Sequence, residues 1–432
     1  MLQTLRNAWK IPDLRKKMLF TLLMLIIFRL GTYVPVPGLD AQAIEQMLGG
    51  FAEGMQGLLN NFSGGALERG SIFAMGISPY INASIIMQLL TVAIPALEKL
   101  SKEGEEGRKK IGSYTRYATV VLGFLQAVGL YLGLKASITG GTPVMNFIVV
   151  VLTFTAGTAF LMWLGEEITD KGIGNGISLL IFIGIVSRGP AMIQSLRATL
   201  MSSGDVISIG SVITIVAVLV IAVAMIAFVV FMNDAERRIP VQYAKRVVGR
   251  KMYGGQSTHI PIKVAAAGVI PIIFAISIMS FPQTINMFIN GQSSPKSSFW
   301  AAILNLFKQT HPFYIIAYFL LILFFTYFYT AIQFNPIEMS NNMKKNGGFI
   351  PGIRPGKPTS DYISRVLSRI TFVGAMFLAI IAIFPILLAF VPNMGNVSIG
   401  GTSLLIVVGV ALETVKQIES QMLMRHYKGF LE

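Results

Sequence analysis

At 432 residues, 53% of them hydrophobic and only 13% charged, the chain lies far below the roughly one-quarter charged content of soluble domains. It is read as a membrane protein. The absence of cysteine excludes disulfides and thiolate metal sites, and a formal net charge of +15 has to be placed on one side of the membrane or against acidic partners.

In chain order, residues 1–17 form a basic N-terminal segment, and ten apolar segments follow at 18–35, 76–96, 114–134, 144–165, 172–188, 209–232, 263–284, 313–334, 363–391 and 400–419. About 20 residues cross the hydrocarbon, and an unclosed sheet cannot satisfy its backbone there, so the expected fold is an all-α membrane protein with ten transmembrane helices. The N-terminus does not read as a cleaved leader, because Val34-Pro-Val-Pro-Gly38 stands where small residues would be needed.

Most of the 35 basic residues fall in segments that alternate with the spans and share one side. The opposite side holds Arg69, Lys135, Arg188, Arg197, Lys296 and Lys308. The positive-inside rule then puts both termini in the cytoplasm. It also gives spans 1–5 and 6–10 opposite directions: an N-terminal half at 18–190, an external hinge at 191–208, a C-terminal half at 209–420 and a tail at 421–432.

Two phrases recur across those halves. Gly76-Ile-Ser-Pro-Tyr-Ile81 is echoed by Gly268-Val-Ile-Pro-Ile-Ile273, and Gly176-Ile-Ser-Leu-Leu-Ile181 by Gly401-Thr-Ser-Leu-Leu-Ile406. Matched isoleucines from four helices suggest an apolar constriction on a pseudo-symmetry axis, although a carrier with inverted repeats would echo similarly. Residues 58–75 are half apolar but interrupted by Asn60, Asn61, Gly64, Gly65, Glu68 and Arg69. They fit either a re-entrant piece buried in protein or an ordinary outer loop helix; their place directly before the first echo favours the re-entrant form.

Function classes narrow from the charged residues. Gly172-Ile-Gly-Asn-Gly176 lacks the spacing and preceding strand of a nucleotide fingerprint, and Gly356-Lys357 lacks the upstream glycine of a phosphate loop. The histidines, His259, His311 and His426, all lie outside the spans. Ion-coupled carriers place ionisable relays in the membrane, so this absence argues against one. Arg29 is the exception, with backbone carbonyls, a partner helix and the interface all open to it. The basic segments 233–262 and 335–362 are long for simple connections. Pro351, Pro355 and Pro358 stiffen the second, and Gly352 and Gly356 permit tight turns. Such basic tips suit an acidic protein face or RNA phosphate.

Those motifs, together with Glu103-Gly-Glu-Glu-Gly-Arg108, Arg237-Arg-Ile-Pro-Val241, Gln256-Ser-Thr-His259 and Phe349-Ile-Pro-Gly-Ile-Arg-Pro-Gly356, resemble the SecY/Sec61-alpha family over essentially the whole chain, in a Bacillus-group form. The resemblance implies two inverted five-helix halves around a central hourglass pore. It implies a plug within 58–75 that includes Gly64, Gly65, Ala66, Leu67, Ser71, Ile72 and Phe73, and a pore ring of Ile81, Ile85, Ile177, Ile181, Ile273 and Ile406. Spans 2, 3, 7 and 8 would form a lateral gate to lipid. It assigns Arg238, Arg246, Arg250, Lys251 and Arg354 to docking of the SecA motor or the ribosome. SecE and SecG would be partner subunits, with signal sequences and unfolded secretory polypeptides as cargo. No catalysis or cofactor is implied for this chain; ATP hydrolysis would belong to SecA, at the bacterial plasma membrane.

Overall fold

All ten apolar segments coincide with helices, but their ends are set by proline and by pairing with other parts of the chain. A computed structural model describes residues 2–48, 60, 62–134, 137–138, 142–191, 193–194, 209–243, 246–248, 251–253, 257–290, 298–309, 311–389 and 401–428. The helices are α1 (Leu2–Lys10), α2 (Pro12–Gly31), α3 (Ala41–Leu48), α4 (Ser78–Ala93), α5 (Pro95–Lys102), α6 (Glu105–Leu134), α7 (Pro143–Lys171), α8 (Gly176–Val186), α9 (Ile209–Asp234), α10 (Ile270–Asn290), α11 (Ser298–Leu306), α12 (Pro312–Gln333), α13 (Pro336–Lys345), α14 (Lys357–Ala389) and α15 (Gly401–Lys428). Among the described residues, six helices are long and apolar enough to cross a membrane, and α4 with α5 forms a bent seventh candidate. The chain is a multi-pass, α-helical membrane protein.

Proline in the first turn starts α2, α4, α5, α7, α12 and α13, where its missing N–H costs nothing. Asn175 caps α8 by accepting from the Ser178 amide at 3.2 Å, and Asn335 caps α13 through the amides of Ile337 and Glu338. Several span boundaries differ from the expected ones: α6 begins at Glu105 rather than 114, α14 at Lys357 rather than 363, and α10 at Ile270 rather than 263, because Ser257–Lys263 form a strand. The second span stops at Ala93, not at residue 96, because Pro95 forces Ile94 into extended backbone; α5 then departs at 101°. The helix of the first span, α2, ends at Gly31, not at residue 35, because residues 34–36 turn to pair with residues 70–72 across a single antiparallel bridge.

The chain divides into two units, Met1–Ser208 with Ser280–Gln309 and Ile406–Glu432, and Ile209–Met279 with Thr310–Leu405. In the first, α6 packs between α4 and α7, and α7 in turn meets α2 and α8. Ala8, Leu14, Ile173 and Ile418 make a small second core there. In the second, α12 packs along α14.

The described residues of segments 233–262 and 335–362, expected as two loops, form strands and a helix, and the two segments are joined. Strands β1 (Glu236–Tyr243) and β4 (Ser257–Lys263) pair antiparallel from Glu236↔Lys263 to Gln242↔Ser257. Between them β2 (Arg246–Val248) pairs with β3 (Lys251–Tyr253). The second segment supplies α13 and β5 (Gly348–Phe349), and β5 completes a sheet of order β4-β1-β5. Pro240 is tolerated in β1 because β5 pairs only with Gln242 and Tyr243, leaving the free side of Pro240 without a ladder partner.

Candidate functional site

The segment before α4 cannot be a continuous helix. Gly64, Gly65, Gly70 and Gly76 have φ of 68°, 82°, 56° and 57°, left-handed values that side chains resist. Turns 62–70 instead fold the chain into a buried knot that returns along residues 34–36 through one antiparallel bridge: the Val36 amide donates to the Gly70 carbonyl at 2.9 Å, and the Ile72 amide to the Val34 carbonyl at 3.0 Å.

The knot sits in a seat made by the first unit. Leu67, Ala74 and Met75 belong to one core with Val36, Ile44, Tyr131, Val150 and Phe154. Phe73 stacks between Phe28 of α2, at 6.1 Å, and Phe160 of α7, at 5.8 Å. Three helices each present a glycine where the segment comes closest. A Cβ on Gly157 of α7 would lie 2.1 Å from the Ile72 carbonyl oxygen, and one on Gly184 of α8 would lie 2.1 Å from that of Phe62. One on Gly31 of α2 would lie 2.0 Å from the Phe73 ring. Among the plug residues expected from sequence, Gly64, Gly65, Ala66, Leu67, Ser71 and Phe73 are buried and Ile72 is half-buried. Ser71 Oγ is buried with no hydrogen-bond partner among the described residues. Gly31, Gly157 and Gly184 were not singled out from sequence; a glycine in an apolar helix carries no signal of what approaches it.

Of the six isoleucines, Ile81 and Ile85 stand one turn apart on α4, and Ile177 and Ile181 one turn apart on α8; Ile406 is on α15 and Ile273 on α10. Ile85, Ile181 and Ile406 are buried, whereas Ile81, Ile177 and Ile273 are half-buried. Ile177 lies over Gly165 of α7, where a Cβ would come within 2.4 Å of its Cδ1. Five of the six belong to the first unit and Ile273 to the second.

Of the expected docking residues, Arg238 falls on the three-stranded sheet of the second unit. Ile239, Val241 and Ile262 form its core with Met343, Ile350, Ile363 and Leu367, so the two segments share one platform. Arg238 on β1 is exposed, its guanidinium 2.6 Å from Glu236. Arg246 lies on β2 and Lys251 on β3, while Arg250 lies outside the described residues. Arg354 is exposed on the turn entering α14, its carbonyl accepting from the Thr359 hydroxyl at 2.8 Å. Among the described residues no group of three or more His, Cys, Asp or Glu side chains could hold a metal.

A helical membrane bundle with a buried, irregular segment packed among its helices defines the class: the fold is that of protein-conducting channels. A solved SecY structure, described as one whose plug domain stabilises the closed translocation channel and maintains a membrane seal, matches with a TM-score of 0.63 at 18% identity over 96% of each chain. The SecY family model covers residues 71–415. The protein translocase subunits SecY of Streptomyces galbus and Bacillus subtilis are each 49% identical over the full length of both chains. The chain belongs to the SecY family.

Proposed function

We propose that this chain is the pore-forming subunit of a translocase of the bacterial plasma membrane. It passes unfolded secretory polypeptides across the membrane and releases apolar segments sideways into lipid. The observation that carries the reading is the seated segment at 60–75, a piece of chain packed among helices through glycine contacts and one apolar stack rather than built into a helix. Such a piece suits a plug.

The constriction is the ring of Ile81, Ile85, Ile177, Ile181, Ile273 and Ile406. Aliphatic side chains close a narrow neck by dewetting it, so that ions cannot follow. A passing polypeptide meets no strong polar partner there. An apolar signal segment gains ~25 cal/mol for each Å² of apolar surface moved from water into lipid, which drives lateral exit. Orientation follows the basic segments: both termini and the platform face the cytoplasm, with halves 18–190 and 209–420 on either side of the hinge at 191–208. The platform, through Arg238, Arg246, Arg250, Lys251 and Arg354, receives an acidic face of SecA or ribosomal RNA phosphate, and SecE and SecG complete the complex. Work comes from SecA or the ribosome.

The absence of cysteine makes the test direct. A single cysteine at Ile406→Cys is crosslinked to one in a stalled, partly exported substrate. A motor-dependent crosslink is expected. With the substrate demonstrably engaged, no crosslink there or at Ile81→Cys removes the ring from the route and the reading with it.

A further inference from the structure

One charged side chain of the first apolar span reaches the seated segment, and its contacts tie three parts of the first unit together. Arg29 Nη1 donates to the Gly64 carbonyl at 3.1 Å and to Ser187 Oγ at 3.1 Å. Its Nη2 donates to the Tyr33 hydroxyl at 2.8 Å, and the guanidinium carbon lies 4.8 Å from the centre of that ring. Thus α2, the buried segment and the residue that ends α8 meet at one guanidinium. Arg69 of the segment returns to the same place: its Nη1 lies 3.4 Å from the Gly64 carbonyl, and its guanidinium lies 4.4 Å from the Tyr33 ring. One residue along, Arg188 pairs with Glu68 of the segment at 3.2 Å, and the Asn60 amide donates to the same carboxylate oxygen.

An arginine in an apolar helix is expensive and is kept where it faces protein and finds partners. The planar fork of arginine, with five donors in a rigid array, serves a carbonyl, a hydroxyl and a phenol from one fixed position. The target on the segment is a backbone carbonyl held by the left-handed turn at Gly64, so the contact reads the segment's conformation and not its side chains. The apolar stack and the arginine together hold the segment in its seat.

We propose that Arg29 is the positioning residue that latches the segment in its seat, with Glu68–Arg188 as a second point of attachment. This rests on the plug reading above. The expected consequence of Arg29→Ala is a rise in the unseated fraction of about tenfold or more, as loss of a charge-assisted hydrogen bond to a buried acceptor implies.

The test uses the complete translocase in planar bilayers, with resting ion conductance as the readout. A reversible lock is available from the strand pairing. Pro35 and Ser71 face each other across the antiparallel bridge, as a pair without hydrogen bonds between them, the geometry with the closer Cα approach. Pro35→Cys with Ser71→Cys would close the segment covalently without touching the latch. Arg29→Ala is expected to leak, the oxidised lock to seal it, and reductant to restore the leak. Ser187→Ala, a milder change, is expected to give a smaller leak sealed by the same lock, and serves if Arg29→Ala does not assemble. Wild-type conductance in both variants, or a leak that persists with the lock closed, overturns the latch. The lock alone separates the two readings. If it fails to block export in an otherwise native chain, the plug reading falls and takes the latch with it. If it blocks export while the Arg29 and Ser187 variants stay tight, only the latch falls.

Discussion

The seat in the first unit and the platform in the second solve opposite problems with the same chain chemistry. The platform is held by interleaved aliphatic side chains, Ile239, Val241 and Ile262 against Met343 and Ile363, and displays its charges outward. In the seat, Leu67, Ala74 and Met75 also join a core of aliphatic and aromatic side chains, but to it are added backbone approaches on glycine, one aromatic stack and a few polar contacts around Arg29. Backbone-on-glycine contact depends on fit and buries little side-chain area, so it is specific and shallow. Interleaved aliphatics bury area and are deep. On the plug reading, the first kind of contact suits a part that leaves and returns; on the docking reading, the second suits a part that takes the push of a partner.

The contrast can be broken at its strongest point by Gly157→Val. The new side chain would project where a Cβ already comes within 2.1 Å of the Ile72 carbonyl, and overpacking of this kind costs about 1–3 kcal/mol or more. Loss of the resting seal in bilayer conductance is expected; a tight channel would mean the segment does not need this approach. On the platform the matching change is Ile239→Ala, at a residue 2% exposed, with an expected cost of about 2–5 kcal/mol. Hydrogen exchange should accelerate across 236–263 while resting conductance stays unchanged. A leak in this variant would show that the two regions are not independent.

Smaller effects sharpen the same comparison. Gly352 has φ of 79° with open space around its Cα. Gly352→Ala should therefore cost only about 1–2 kcal/mol of stability, through the left-handed strain it introduces, seen as faster exchange in the turn before α14. Arg354→Glu, at an exposed position, should change folding stability by no more than about 0.5 kcal/mol yet weaken SecA binding and ATP-driven export. If both were normal, the platform would lose its docking role.

The spans were legible because apolar length is a one-dimensional signal, and helices stand at each of the ten expected places. Their ends were less so. Pro95 could have been read as the stop that ends α4 at Ala93, but nothing local announced that Val34 and Val36 would pair with Ile72 and Gly70. The platform shows a similar gap. The alternating burial of Ile239 and Val241 is a period-two pattern interrupted to the eye by Pro240, and the union of β1 with β5 spans about a hundred residues of sequence. Arg29 was visible as an anomaly from composition alone. Its partners, 35 and 158 residues away, were not. Ile177 entered through the family resemblance, one turn from the echoed Ile181, and its packing on Gly165 is a contact that no repeat could foretell.

The aromatic stack at the seat has an optical consequence. Phe160, which lies 5.8 Å from Phe73 of the segment, also lies 5.6 Å from Trp163, one of only three tryptophans in the chain. With Trp9→Phe and Trp300→Phe, the remaining indole would stand one ring away from the part proposed to unseat. Its emission would then follow the seating of Phe73 in real time, without an added label.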